Sequence, residues 1–252
     1  VPTTAGTGSE TTLAAVITDS KTHYKYAIND FSLIPHYAVL DYKTTLNLPK
    51  NVTSTTGMDA LTHAVEAYIG RSTTKKTRAR AEEAVKLIVE NLKLAYDEPH
   101  NEKARANMLK ASYCAGVAFT VSYVGYVHAI AHSLGGQYGV PHGLANAIIL
   151  PYMLKEYGKT AYGKLSKLAK ISLIAENSDT EEVAAKKFIA YIEDLNKYFG
   201  IPTFVKELKE EDFDVLAGHA DKEANPLYPV PKLMDKNELK VVYRKLLPNS
   251  EK

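Results

Sequence analysis

Two pairs of residues stand four apart on segments that read as helices: Asp59 and His63 within GMDALTHAVEAY, and His128 and His132 within YVHAIAHSLGG. An i, i+4 pair projects from one helix face about one turn apart, close enough to hold a single metal ion. His142 follows ten residues after His132, in VPHGLANA, beyond a glycine-rich reversal. Both pairs sit among apolar neighbours, Met58, Leu61, Ala64 and Val65 around the first and Val124, Val127, Ile130 and Leu134 around the second. Helices this apolar are buried, and polar groups buried there need partners. One carboxylate with two or three imidazoles suits iron(II), zinc or cobalt, whereas magnesium and calcium prefer all-oxygen shells. A buried hydrogen-bond network without metal is the rival reading. Spacing alone leaves open which three or four of Asp59, His63, His128, His132 and His142 are ligands. A catalytic site must also leave a position for a substrate oxygen. The HExxH motif of zinc proteases is absent, and His23, His36, His100 and His219 have no such company.

A second candidate is the segment VPTTAGTGSE at residues 1–10, which packs hydroxyls and glycines without a bulky side chain. Glycines let backbone N–H groups approach a phosphate, and Thr or Ser hydroxyls can donate to it. The segment is neither GxGxxG after a strand nor a P-loop, because no Lys follows the second glycine, and a plain loop is the competing reading.

The elements that must position these residues divide near residues 49–53. Before that point, Leu13–Thr18 and Tyr24–Ile28 suit a β-hairpin around Asp19-Ser20-Lys21-Thr22, and Tyr37–Leu40 reads as another short strand. Three or so strands in about 50 residues are too few for a sheet domain with its own core. After it the texture is helical: Asn51–Ile69, Arg78–Tyr96, Ala104–Val117, Val121–Leu134 broken by Gly135-Gly136, Gly143–Lys155 interrupted by Pro151, and segments near 161–175, 180–198, 211–220 and 236–246. The expected fold is mainly α, with residues 1–52 a β-containing fragment and residues 53–252 an all-helical domain.

Composition narrows the partners. The 252 residues carry 31 Lys+Arg against 29 Asp+Glu, a net charge of +2, which argues against a dedicated nucleic-acid binder. No apolar run approaches the roughly 20 residues of a membrane helix, and no signal peptide opens the chain. The single cysteine, Cys114, excludes an internal disulfide and a thiolate zinc cluster and predicts a reducing, cytoplasmic setting. The chain begins at Val1 in a turn-rich segment, which suggests a piece of something longer.

Taken together, VPTTAGTGSE at 1–10, AVITD at 15–19, GMDALTHAVEAY at 57–68, AGVAF at 115–119 and HAIAHSLGGQYGVPHGLANAIILP at 128–151 resemble the iron-dependent (group III) alcohol dehydrogenases in order, spacing and content. The resemblance is close over residues 1–152, looser to 200, and fades beyond to a few residues such as Asn225-Pro226. It implies an N-terminal α/β dinucleotide-binding domain followed by a helical metal-binding domain, with residues 1–52 the C-terminal remnant of the former. It implies one Fe(II) or Zn(II) on Asp59, His63, His128 and His142, with His132 a non-ligand histidine near substrate and a candidate for proton relay. Thr3, Thr4, Gly6 and Thr7 then match a stretch that contacts NAD or NADP, and Lys25 lies where the family has a cofactor-contacting lysine. The usual GGGS pyrophosphate loop is missing, and Leu227 stands where Arg is common after Asn-Pro. The implied activity is interconversion of an alcohol and an aldehyde or ketone by hydride transfer, with a homo-oligomer left open.

Three rivals stand beside that reading. One is a glycerol dehydrogenase-like or dehydroquinate synthase-like enzyme of the same fold. Another is a metal-binding domain inactive in isolation, for want of most of the cofactor domain. A non-enzymatic helical interaction domain would leave the Asp/His set unexplained.

Overall fold

The computed structural model describes residues 1–22 and 25–248. Strands β1 (Ala14–Thr18) and β2 (Lys25–Asn29) pair antiparallel, with Ala14 opposite Asn29 and Thr18 opposite Lys25. Tyr24, which the sequence assigns to the second strand, and His23 lie outside the described residues. Nine α-helices follow among the described residues: α1 (Lys50–Ile69), α2 (Lys75–Asp97), α3 (Glu102–Ser122), α4 (Tyr126–Tyr138), α5 (His142–Tyr157), α6 (Lys159–Ile171), α7 (Glu181–Tyr198), α8 (Phe213–Ala224) and α9 (Lys236–Lys245). The mainly helical architecture matches the expectation.

Helix starts follow from capping chemistry. Thr74 and Thr77 form a reciprocal box at the start of α2, as do Asp235 and Glu238 at α9, while Asn101 caps α3 and Thr180 caps α7. In α2 the buried positions Ala81, Ala84, Val85, Ile88, Leu92 and Ala95 fall on one stripe, which packs on α1 and α3. Helix α1 is different: from Gly57 to Ile69 every residue is buried, because α2, α3 and α5 surround it. Helix α4 lies against α5 and α8. The two helices that carry the paired residues are therefore the most enclosed in the molecule, as their apolar composition requires. No single helix among the described residues is long and apolar enough to cross a membrane.

Several local expectations fail. Tyr37–Leu40 forms no strand; Tyr37, Val39 and Leu40 are exposed in a segment between two 3-10 turns, Phe31–Leu33 and Tyr42–Thr45, with no strand paired to it among the described residues. Gly135-Gly136 does not end α4, which continues to Tyr138. The stop comes at Gly139, whose φ of +69° is the left-handed conformation that terminates helices and favours glycine. The helix expected from Val121 begins only at Tyr126, since α3 runs on to Ser122 and the chain turns through 123–125.

Pro151 does not interrupt α5 either. Proline has no N–H, so the carbonyl of Ala147 four residues earlier loses its helical donor. The Asn196 side-chain amide on α7 donates to that carbonyl at 2.6 Å. A neighbouring helix thus supplies the bond that the proline withholds.

Candidate metal centre

Helix α1 presents Asp59 and His63, α4 presents His128 and His132, and His142 opens α5. Asp59, His63, His128 and His142 each direct one donor atom into a common space, and these atoms all lie within 4.8 Å of one another. Asp59 Oδ1 is 3.8 Å from His128 Nε2 and 3.5 Å from His142 Nε2. The His63 ring is sandwiched between Phe119, at 4.3 Å between centroids, and His128, at 4.4 Å. Spacing alone could not separate His132 from the others. In the structure its Nδ1 donates to Glu223 Oε1 on α8 at 2.8 Å, and its ring lies outside the group of four converging donors.

The electrostatics suit a cation. Burial lowers the pKa of His63, drives that of His128 well below the ordinary imidazole value, and brings His142 down to about 4, with neighbouring imidazoles adding to the effect on His128. All three rings are therefore neutral at pH 7, the form that carries a free lone pair. One carboxylate and three neutral imidazoles are the donor set of an iron(II) or zinc site. The buried Nδ1 atoms of His63 and His142 and the buried Oδ1 of Asn146 have no hydrogen-bond partner. By donor chemistry and convergence, the residues present fit a single divalent metal.

Three further polar residues meet at the centre: Glu66 and Asn146 stand at helical spacing from His63 and His142, whereas Glu223 carries no local sequence signal. Asn146, one turn after His142 on α5, donates from Nδ2 to Asp59 Oδ1 at 2.7 Å and lies 3.2 Å from His128 Nε2 and 3.1 Å from His142 Nε2. Glu223 receives both His132 and the hydroxyl of Tyr228, each at 2.8 Å. Glu66, on the same face of α1 as Asp59 and His63, accepts from His128 Nδ1 at 2.6 Å. Burial pushes the Glu66 carboxyl up to about 8, against the backbone amides of Gly125 and Val127 that draw it down.

The centre opens on a cleft of about 530 Å³ whose lining includes His63, His128, His132 and His142. Phe119, Tyr123, Val124 and Leu227 form an apolar wall, and Thr7, Ser9 and Thr12 bring the N-terminal hydroxyls to another side. Of the phosphate candidates, Thr7 reaches the cleft; Gly6 is buried against Thr56 of α1, while Thr3 is exposed and Thr4 half-buried. Lys25 leans from β2 towards Gly135 of α4. Burial lowers its pKa, and the carboxylates of Glu223 and Asp59 pull it back. Leu227 is 70% exposed at the cleft. Nothing in the structure explains a leucine there.

Comparison with known proteins gives consistent relatives. The sequence profile described as "Fe-containing alcohol dehydrogenase family, C-terminal" matches residues 53–247, and that described as "Iron-containing alcohol dehydrogenase" matches residues 1–42. Alcohol dehydrogenase 4 of Schizosaccharomyces pombe is 39% identical over 250 residues, covering 97% of this chain and 57% of its own length. The 1,3-propanediol dehydrogenase of Citrobacter freundii is 40% identical over 252 residues, covering 97% of this chain and 63% of its own length. A solved structure of a 1,3-propanediol oxidoreductase superposes with a TM-score of 0.92 at 37% identity, covering 97% of this chain and 64% of that one. The chain thus spans about three-fifths of the length of the curated relatives it matches.

Proposed function

Because the chain belongs to the iron-containing alcohol dehydrogenase family, we propose that its protein interconverts an alcohol and an aldehyde or ketone by hydride transfer with NAD or NADP. In this reading Asp59, His63, His128 and His142 hold one divalent cation, Fe(II) or Zn(II). The observation that carries it is the convergence of one carboxylate and three burial-neutralised imidazoles within 4.8 Å at the foot of an open cleft. When bound, the metal supplies a Lewis acid for the substrate oxygen and the nicotinamide supplies or receives the hydride.

The chain's own residues do the rest. Asn146 fixes the Asp59 carboxylate from one side. His132, held by Glu223 beside His142, takes the hydroxyl proton and passes it towards the Glu223 carboxylate. Thr3, Thr4, Gly6, Thr7 and Lys25 form the edge that meets the cofactor. The apolar wall of Phe119, Val124 and Leu227 suits a small uncharged alcohol or aldehyde. We assign residues 1–52 to the cofactor-binding domain and 53–252 to the metal-binding domain. A cytoplasmic setting accords with the free, buried thiol of Cys114.

Elemental analysis of protein purified without oxygen, paired with alcohol-dependent reduction of NAD or NADP, tests this reading. About one iron or zinc per chain and turnover with a simple alcohol are expected; metal-free protein that neither gains metal nor turns over on adding iron or zinc overturns it. The coverage of the relatives favours a second reading for the chain by itself, as a metal-binding unit without turnover. Cofactor titration of this chain beside a longer version separates the two.

A further inference from the structure

Glu66 stands seven residues after Asp59 and three after His63 on α1, and it is 3% exposed. Its carboxylate gathers three donors from another part of the chain. Oε2 accepts from His128 Nδ1 at 2.6 Å and from the backbone N–H of Gly125 at 2.9 Å, and Oε1 accepts from the backbone N–H of Val127 at 2.9 Å. The two amides belong to the start of α4, whose N-cap residue, Gly125, has no side chain to cap with. Glu66 thus caps α4 from outside the helix while holding the ring of one of its histidines.

Gly125 is part of the same arrangement. A Cβ at that position would lie 2.7 Å from Glu66 Oε1 and 3.2 Å from its Cδ, so only glycine lets the carboxylate seat here. The two residues before it, Tyr123 and Val124, line the cleft. One carboxylate is therefore bonded to a ring of the metal centre on one side and to the turn that carries the cleft wall on the other.

We propose that Glu66 is a positioning residue that locks His128 in the Nδ1–H tautomer with Nε2 free on the Asp59 side, and that the same carboxylate fixes the 123–125 turn. Metal affinity and the placement of the cleft wall are then set by one group. The inference rests on reading His128 as a ligand. Glutamine cannot substitute: it offers one acceptor oxygen where three donors converge, so its NH2 must face at least one of them.

The test titrates Zn(II) against a competing chelator in the intact protein and reads imidazole 15N shifts after metal removal, at about pH 9, where Glu66 is the carboxylate. Wild type is expected to carry the His128 proton on Nδ1. Glu66→Gln is expected to weaken Zn(II) about 10- to 100-fold and to move part of that proton to Nε2. Gly125→Ala, which touches no candidate ligand, is expected to weaken Zn(II) as well, and the double variant to lose no more than the worse single variant. A wild-type His128 proton on Nε2, unchanged Zn(II) affinity in Glu66→Gln, or additive losses in the double variant overturns the proposal. His128→Ala supplies the separate check: unchanged Zn(II) affinity there means that the ligand reading fails, while the 15N shifts still decide the tautomer.

Discussion

His132 and His142 stack ring on ring, their centroids 5.1 Å apart and their planes 20° from parallel, yet they serve different partners. His142 Nε2 looks towards Asp59 Oδ1 and Asn146, whereas His132 Nδ1 is bonded to Glu223. Two neighbouring imidazoles are thus divided between the Asp59 cluster and the single carboxylate of Glu223, which also accepts from Tyr228.

That division predicts separate phenotypes. His132→Ala in the intact protein keeps its metal and lowers kcat about 100-fold or more, the range of a lost general acid–base group. Glu223→Gln, which leaves the ring in place but weakens its partner, falls between this variant and wild type. Metal loss from His132→Ala, read by elemental analysis, would make that residue a ligand.

Asp59→Ala and His142→Ala act on the metal directly. Each removes one of four converging donors, and each is expected to lose the bound ion during purification without oxygen. Full metal content in both variants would sink the assignment of this cluster.

The metal-free protein has a pH signature at His142. Burial holds its folded pKa at about 4, below the ordinary 6.5, so between these values the unfolded chain binds a proton that the folded chain refuses. The contribution is fully present above pH 6.5 and is lost as pH falls towards 4, by about 1.4 kcal/mol per pH unit for this group. His142→Gln removes it. Urea midpoints in the presence of a chelator, at pH 7.5 and 4.5, should shift in favour of the variant on the acid side; parallel curves would refute the linkage.

Tyr123 ends α3 with φ 62° and ψ 179°, a conformation that only glycine adopts without strain. It is held there between Ser122, whose hydroxyl donates to Thr77, and Gly125, whose amide donates to Glu66. Tyr123→Gly should therefore raise the thermal midpoint, worth about 1 kcal/mol or more, while Tyr123→Ala, which keeps a Cβ, should not. A lower midpoint for the glycine variant than for the alanine variant would show that no strain is stored.

Much of the centre was legible because its residues announce themselves locally. Asp59 with His63 and His128 with His132 share a helix face by spacing, and their apolar neighbours foretold burial. Glu66 and Asn146 share helical spacing with His63 and His142 but are not imidazoles, and Glu223 stands alone; their partners His128, Asp59 and His132 lie 62 to 91 positions away, and only packing brings them together. The bond from His132 to Glu223 on α8 has the same origin. The misread elements share a cause too. Gly135-Gly136 and Pro151 are local breakers overruled by a buried helix and by Asn196, and Tyr37–Leu40 has strand-like residues but no strand paired to it among the described residues.

The bond from Asn196 to the Ala147 carbonyl has an evolutionary side. Pro151→Ala would return that carbonyl to its own helix and leave the Asn196 amide without its acceptor; Asn196→Leu would strand the carbonyl beneath the proline. Each single change leaves a buried polar group unpaired at about 1–3 kcal/mol, while the pair of changes exchanges one satisfied bond for another. Positions 151 and 196 are thus coupled in energy, with either single change less favourable than the two matched combinations. Among proteins of this fold they should covary, although 45 residues and the whole of α6 separate them.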